Sequence, residues 1–267
     1  MLELFAMPFF SRSLIALLIT GVSFPLLGIF IVHLELIPAR FAVMHAALLG
    51  GAIALLFGVS TTWVALLASI LTGLGIAIFS WKSRMTSGGM LGLIMTVCLG
   101  LSFIIFYKSN VQATQAFTLF WGNILALTKS DTIFAVVTGA LILLFVITCY
   151  KEIHTVLFDR EIAWAVGVHA KFVYTGIIIA VCLGIAAAMR ITGALLVDAV
   201  TILPALAARQ IGVSFKALIV WGAVFGVGMN MTGFALSFVL DLPVSPAIIV
   251  IGAVVVLIMG VIHGKQV

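Results

Sequence analysis

The chain has 267 residues, of which 64% are hydrophobic and only 8% are charged. Soluble domains carry about 25% charged residues, so this composition cannot cover a surface that faces water. It excludes a soluble protein. Despite the net charge of +5, there is no basic patch with interleaved aromatic residues, which excludes nucleic-acid binding. We therefore expect an integral membrane protein.

Apolar runs of about 20 residues recur along the chain and predict transmembrane helices rather than a β-barrel. We expect an all-α polytopic transmembrane helical bundle of eight or nine spans, forming one domain over residues 1–267. The run at 191–208 is short and contains Asp198 and Pro204, so a broken or re-entrant helix is an alternative to a full crossing there. The runs lie near residues 13–33, 41–58, 61–80, 88–107, 131–150, 172–189, 191–208, 217–239 and 246–262.

The stretch at residues 151–171 holds six of the 21 charged side chains. It is too polar to cross a bilayer as a lipid-facing helix, yet Ile162, Ala163, Ala165 and Val166 give it a small apolar face. This pattern favours an amphipathic element outside the membrane, between two spanning helices. An ordinary polar loop is the alternative interpretation.

The lysine and arginine positions predict the orientation, because cytoplasmic loops carry an excess of these residues. If all nine runs cross, nine lysines and arginines lie on the side of residues 151–171 and four on the other side. This places residues 151–171 and the C-terminus in the cytoplasm and the N-terminus outside. The nine are Arg40, Lys82, Arg84, Lys151, Arg160, Lys171, Arg209, Lys216 and Lys265, and the four are Arg12, Lys108, Lys129 and Arg190.

The longest predicted external segment lies between Lys108 and Asp131. Its centre, residues 117–127, is apolar but too short to span, which favours an interfacial or re-entrant helix. Trp121 suits such a position at the membrane surface.

Two ionisable side chains lie inside predicted spans, where they are costly and therefore functional candidates. They are His45 in the second run and Asp198 in the run at 191–208. An imidazole and a carboxylate suit a divalent transition metal such as zinc, manganese or iron. The structural alternatives are a His45 hydrogen-bonded to a neighbouring helix, and an Asp198 bound to a backbone N–H or to Arg190.

Pro25 and Pro204 also fall inside predicted spans, where proline kinks or interrupts a helix. Such breaks often line a transport path, although they also occur as plain architecture. Enzymatic chemistry has little support. The sequence has no GxxxxGK[ST] phosphate-binding loop, no Ser-His-Asp set and no cysteine pair with metal-ligand spacing. The pattern favours a transport protein without a nucleotide site of its own.

Four motifs, in order along the chain, resemble those of the metal-transporting ABC-3 family, the permease subunits of ABC importers for zinc, manganese and iron. The likeness covers most of the length. The most specific motif is the last of the four. The motifs are His45-Ala46-Ala47-Leu48-Leu49-Gly50, then Gly122-Asn123-Ile124-Leu125-Ala126-Leu127-Thr128, then the segment from Asp159 to Gly167-Val168, and finally Gly193-Ala194-Leu195-Leu196-Val197 with Ile202-Leu203-Pro204-Ala205 and Ala207.

The resemblance implies a bacterial inner-membrane importer of two permeases and two ATPases, fed by an external solute-binding protein. The second permease would be another copy of this chain or a paralogue. Residues 151–171 would form the coupling helix that docks in a groove of the ATPase, with Asp159, Arg160, Glu161 and Gly167 as the coupling residues. The chain itself would not be an enzyme. It would hold no permanent cofactor, bind the transported metal transiently, and rely on ATP bound by the partner subunit to alternate access between the permeases.

One position departs from the family pattern. The family has an aspartate four residues before the histidine of the second span, on the same helix face. Here that residue is Phe41, preceded by Arg40 where the family has a small residue, while Asp198 is an acid that the family does not place there. One hypothesis is that Asp198 supplies the missing carboxylate from another helix. The alternatives are a metal chelate or another small substrate, an ion-gradient-driven carrier, and a non-transporting scaffold.

Overall fold

The computed structural model describes residues 8–82, 87–108, 124–193 and 196–263, and all regular elements within these ranges are helical. The predicted all-α transmembrane bundle is confirmed. The helices are α1 (Pro8–His33), α2 (Ile37–Phe57), α3 (Thr61–Lys82), α4 (Ser87–Lys108), a 3₁₀ turn (Ile124–Ala126), α5 (Lys129–Thr148), α6 (Tyr150–Phe158), α7 (Arg160–Ala165), α8 (Ala170–Thr192), α9 (Val197–Ile211), α10 (Phe215–Val239) and α11 (Val244–His263).

Eight of the described helices are long and apolar enough to cross a bilayer: α1 to α5, α8, α10 and α11. Each coincides with one of the predicted apolar runs. The start of α2 differs from the predicted run, because the helix begins at Ile37 rather than near residue 41. Pro38 lies in the first turn of α2, where a missing backbone N–H costs nothing, so the helix starts before Arg40.

The run at 191–208 is not one helix. Its first two residues end α8, Gly193 adopts a left-handed φ of 77°, and α9 begins at Val197. Glycine reaches this φ without a steric cost, which is why the helix terminates there. The 15 residues of α9 extend about 22 Å, less than the hydrocarbon core of about 30 Å.

The described helices divide into two compact units. The first contains α1, the 3₁₀ turn, most of α5, the end of α8, and α9 to α11. The second contains α2 to α4, the end of α5, α6, α7 and most of α8. The expectation of one domain over residues 1–267 stays a prediction.

In the first unit, α1 and α10 pack closely around Pro25. Because Pro25 has no N–H, the carbonyl of Gly21 loses its intrahelical donor. Gly226 of α10 lies against that carbonyl, and an added Cβ would collide with it and stand 2.6 Å from Cγ of Pro25. Glycine permits this approach and its Cα–H faces the freed oxygen. Helix α1 continues past Pro25, as α9 continues past Pro204, so the interruption in this part of the chain falls at Gly193 instead.

Helices α1 and α10 run in opposite directions. Near the start of α1, the ring of Phe10 lies 5.2 Å from that of Phe234, and farther along Asn230 Nδ2 donates to the carbonyl of Leu17 at 2.9 Å. Nearer the end of α1, Gly222 faces Pro25. Therefore α10 begins at the C-terminal end of α1 and finishes at its N-terminal end.

The two ends of the stretch between α8 and α10 lie at opposite ends of the first unit. Helix α8 ends at the level of the start of α1, because Arg190 pairs with Asp131 close to the 3₁₀ turn, whose Ile124 carbonyl accepts from Ser13 Oγ at 2.7 Å. Helix α10 begins at the other end of α1. The chain therefore passes from one end of the first unit to the other between α8 and α10, and the short helix α9 lies in this stretch.

In the second unit, α2 packs against α3 and α4, and Gly73 of α3 lies against Sγ of Cys182 in α8. The predicted amphipathic element is two short helices rather than one. Ile153 and Val156 form the buried face of α6, and the helix ends at Asp159, where the extended backbone starts α7.

Candidate transport and coupling sites

His45 lies in the third turn of α2 and is half-buried. Its Nδ1–H donates to the carbonyl of Phe41 at 2.7 Å, so the bond stays within α2. Because a carbonyl only accepts, the neutral ring keeps its lone pair on Nε2. Backbone carbonyls commonly orient metal-ligating histidines in this way. The ring is therefore prepared to act as a ligand through Nε2.

Arg40 is buried, with 2% of its surface exposed, although it lies only four residues into α2. Its Cζ stands 4.2 Å from the ring centroid of Phe41. A cavity of about 10 Å³ beside it is lined by seven apolar or thiol side chains. They are Leu36, Ala39, Val43, Ile76, Ile178, Val181 and Cys182. A stacked cation and ring thus occupy the two positions where the resembling family has a small residue and an aspartate. The sequence reasoning missed this burial, and Pro38 as a helix-start signal could have indicated it.

Asp198 lies in the first turn of α9, where the helix dipole favours a negative charge. Its side chain is half-buried, and the Oδ1 atom is fully shielded from solvent. Leu196, the residue before the helix, makes no side-chain cap, and Asp198 is the second residue of α9. The carboxylate therefore lies at the start of this short helix.

His45 belongs to the second unit and Asp198 to the first, so the structure describes the two candidate ligands separately. Across the four described ranges, no three His, Cys, Asp or Glu side chains cluster as a metal site requires. The pairing of His45 with Asp198 stays a prediction.

Asp131 and Arg190 form an ion pair that the sequence reasoning missed. Arg190 Nε donates to Asp131 Oδ1 at 2.7 Å. Asp131 Oδ2 accepts from the N–H and hydroxyl of Thr128, at 3.0 and 2.7 Å, while the Asp131 N–H donates back to Thr128 Oγ1 at 3.2 Å. This is a capping box at the start of α5. The Thr-x-x-Asp spacing is its sequence signature and could have indicated it.

The 3₁₀ turn that precedes α5 is tied to α1. Ser13 Oγ donates to the Ile124 carbonyl at 2.7 Å and Arg12 Nη1 reaches the Leu127 carbonyl at 3.5 Å. Most of the predicted interfacial helix at 117–127, including Trp121, lies outside the described residues, as do Gly122 and Asn123 of the second motif. The described end of that motif, from Ile124 to Thr128, is thus anchored to α1 and leads directly into the capping box.

The short helix α7 is defined by its two ends. Asp159 Oδ1 accepts from the N–H groups of Glu161 and Ile162, at 2.7 and 2.9 Å, and so caps the helix. At the other end Gly167 adopts a φ of 83°, and the N–H of Val168 donates to the carbonyl of Ala163 at 2.9 Å. Two of the predicted coupling residues, Asp159 and Gly167, therefore set where α7 starts and stops.

The α6–α7 pair exposes large apolar side chains, which we call the α7 patch. Phe158 is 76% exposed, Trp164 79% and Val166 65%, and Ile162 is 47% exposed. Glu161 is exposed among them. Beside the α7 patch, a polar cleft of about 270 Å³ is lined by residues 33–35 and 156–160. Large exposed apolar side chains grouped with polar residues are characteristic of a protein-binding surface.

Among the described residues, eight helices long and apolar enough to cross a bilayer, with the short capped helix α7 exposed between α5 and α8, define a polytopic membrane protein. A family model described as the ABC 3 transport family matches residues 6–263, and the chain belongs to this family. The resemblance expected from the sequence motifs is confirmed.

Similar proteins agree with this membership. The manganese transport system membrane protein MntC of Listeria monocytogenes is 26% identical over 97% of this chain and 92% of its own length. The chelated iron transport system membrane protein YfeD of Yersinia pestis is 26% identical over 94% of this chain and 84% of its own. The solved structure of PsaBC from Streptococcus pneumoniae, in complex with Fab, superposes with a TM-score of 0.85 at 25% identity, covering 97% of this chain and 94% of that one.

Proposed function

We propose that this chain is the membrane subunit of an ATP-driven importer for a divalent transition metal: zinc, manganese or iron. The observation that carries the proposal is the α7 patch. It is an exposed apolar surface on a capped helix, in a chain whose sequence has no GxxxxGK[ST] nucleotide-binding loop. A membrane subunit that depends on ATP needs such a surface to receive movement from a separate ATPase. An amphipathic helix in a groove of the partner is the expected mode.

The assembly is part of the proposal. A second permease, either another copy of this chain or a paralogue, completes the pathway, and an external solute-binding protein delivers the metal. The excess of lysine and arginine on the side of residues 151–171 supports a cytoplasmic α7 patch and C-terminus, an external N-terminus and a location in the bacterial inner membrane. The names of MntC and YfeD support a metal as cargo.

For the passage site we propose His45 and Asp198. The imidazole offers Nε2 because Nδ1 is held by the Phe41 carbonyl, and Asp198 offers a carboxylate at a helix start. Two ligands, rather than a closed set of four, suit an ion that must leave again, since conduction requires binding weak enough for release.

A metal chelate is the second candidate substrate, and the stacked Arg40–Phe41 pair favours it. No carboxylate lies one turn before His45, and a guanidinium opposes a bare dication nearby. An anionic ligand on the metal would reduce that repulsion. The chelated iron system to which YfeD belongs provides a precedent within the family.

The test is metal uptake into vesicles that contain this chain with its candidate ATPase and binding protein. Zinc, manganese and iron are supplied in turn, with and without ATP, and His45→Ala and Asp198→Ala are measured beside the unchanged chain. ATP-dependent uptake of one metal, lost in both variants, supports the importer and its site together.

The other outcomes separate the alternatives. ATP-dependent uptake that neither variant alters keeps the importer but removes the proposed ligands. Uptake that needs an ion gradient and no ATPase would establish a secondary carrier. Intact ATPase activity without uptake of any free metal would favour the chelate.

A further inference from the structure

Helix α7 is held to the rest of the second unit by very little apolar burial. Of its six residues, Ala163 alone is buried. Of its larger apolar side chains, Trp164 is 79% exposed and Ile162 47%. So little apolar burial fixes the helix only weakly, because the stabilisation scales with the apolar area removed from water. Its orientation must depend on other contacts.

Arg160 makes one such contact and directs its charge inward. The Cζ atom of Arg160 lies 4.0 Å from the ring centroid of Tyr174, in the second turn of α8. Tyr174 is 2% exposed and is among the largest fully buried side chains of the described residues. A guanidinium over an aromatic face is attracted by the ring, and more strongly where water is excluded. Arg160 therefore connects the exposed helix α7 to a buried tyrosine side chain of the membrane helix α8.

Backbone hydrogen bonds at both ends of α7 fix the position from which Arg160 reaches Tyr174. Asp159 caps the helix and so sets the direction in which Arg160, the first helical residue, leaves the chain. The turn after α7 is closed by the bond from Val168 to Ala163, and α8 starts at Ala170. The helix is thus joined at its end to α8 by a short turn and at its start to α6 through Asp159. The Arg160 side chain adds a direct contact from the start of α7 to α8.

We infer that Tyr174 is a positioning residue, and that the Arg160–Tyr174 contact is the link through which movement of α7 is passed to the transmembrane helix α8. This inference rests on the proposed function, since it assigns a role in coupling to an ATPase. It also changes the expected role of Arg160. The residue acts toward the membrane helix, while the α7 patch contacts the partner.

The experiment uses the full transporter in vesicles, with four single variants of this chain and the double variant Arg160→Met with Tyr174→Leu. Arg160→Met removes the charge but keeps an unbranched apolar stem, Tyr174→Leu removes the ring, and Tyr174→Phe keeps the ring. Phe172→Leu is the matched control, because this ring lies two residues from Tyr174 but is 75% exposed. The measurements are the amount of ATPase subunit that co-purifies, the metal taken up per ATP hydrolysed, and amide hydrogen exchange of residues 161–165 in the permease alone.

We expect Arg160→Met and Tyr174→Leu to keep the ATPase bound while uptake per ATP falls about three- to tenfold. The double variant should be no worse than either single change, because both remove one contact. Exchange in α7 should rise in these variants and stay unchanged in Tyr174→Phe and Phe172→Leu.

Several results would overturn the inference. Loss of bound ATPase in Arg160→Met would show that the arginine faces the partner. An equal effect of Phe172→Leu, or additive effects in the double variant, would show a general perturbation of α8. The exchange measurement needs no ATPase, so unchanged exchange in Arg160→Met contradicts the link even if the proposed function fails. Failure of the unchanged chain to bind any ATPase would contradict the proposed function alone.

Discussion

The carboxylate of Asp131 serves two helices at once. One oxygen accepts from Arg190 Nε at 2.7 Å and joins the start of α5 to the end of α8. The other accepts from Thr128 and caps α5. The Asp131 side chain is 7% exposed and that of Arg190 36%, so water screens the pair only from one side. The pair ties the last turn of α8, which ends just before Gly193, to the start of α5.

Replacing Asp131 separates these two roles. Asp131→Ala should lower the free energy of unfolding by about 2–3 kcal/mol, because it removes the cap and leaves the charge of Arg190 without this partner. Asp131→Asn keeps an acceptor for Thr128 and should lose only about half as much. Denaturant unfolding in detergent micelles measures both. Equal losses would mean that the cap contributes nothing.

The Gly226–Gly21 contact gives a prediction with an internal control in the same helix. Gly226→Ala should destabilise the protein by about 1–3 kcal/mol, because the new Cβ meets the Gly21 carbonyl and the Pro25 ring. Gly228 has open space around it, so Gly228→Ala should be neutral or stabilising by up to about 1 kcal/mol through helix propensity. Unfolding midpoints of the two variants, compared in one detergent, check this. Similar values would show that α1 and α10 are not in close contact there.

The spans could be predicted from the sequence because hydropathy is a local property. Eight predicted runs each became a helix, and the family motifs around His45 and after Gly193 identified the family. The break within the run at 191–208 was foreseen as a possibility, from its short length and its proline. Its position at Gly193 depends on a left-handed backbone that composition does not report.

The features that the sequence did not predict are contacts between residues far apart in the chain. The burial of Arg40 follows from the packing of α2 against α3 and α8, and no local pattern encodes the Arg190–Asp131 or Arg160–Tyr174 contacts. Two local signals were nevertheless present. Thr128-x-x-Asp131 is a capping box, and Asp159 before a short apolar segment is an N-cap. The carboxylate expected beside His45 stays a prediction, since it involves residues of both units.

A crossing of the membrane between α8 and α10, in the stretch that contains α9, predicts which connecting segments share a side. Val213, between α9 and α10, is 87% exposed and should lie on the same side as Trp164, whereas Leu242, between α10 and α11, should lie on the opposite side. Single cysteines at these three positions can be tested with a maleimide that does not cross membranes, after replacement of Cys98, Cys149 and Cys182. Labelling of residue 242 on the same side as residue 164, with residue 213 on the other side, would mean that α9 does not carry the chain across.

The α7 patch predicts where the ATPase subunit binds. Trp164→Ala should weaken binding of the ATPase about 30-fold, since an exposed tryptophan at the centre of an interface contributes roughly 2 kcal/mol. Trp63→Ala is the matched control, because this tryptophan at the start of α3 is also well exposed, at 61%, and three crossings separate the two positions. Co-purification at several ATPase concentrations measures the effect. Comparable losses in the two variants would remove the α7 patch as the docking surface.

The relocated-carboxylate hypothesis can be tested by moving the acid back. Asp198→Ala should lower metal uptake about tenfold or more, as expected for the loss of at least about 1.4 kcal/mol of binding free energy. Adding Phe41→Asp should restore part of that uptake, because residue 41 lies one turn before His45 on the same face of α2. Phe41→Leu in the Asp198→Ala background is the control, since it alters the stacking against Arg40 without adding a ligand. If the aspartate restores no more uptake than the leucine, Asp198 does not stand in for the missing carboxylate. Arg40 and Phe41 then become evidence for a cargo other than a bare dication.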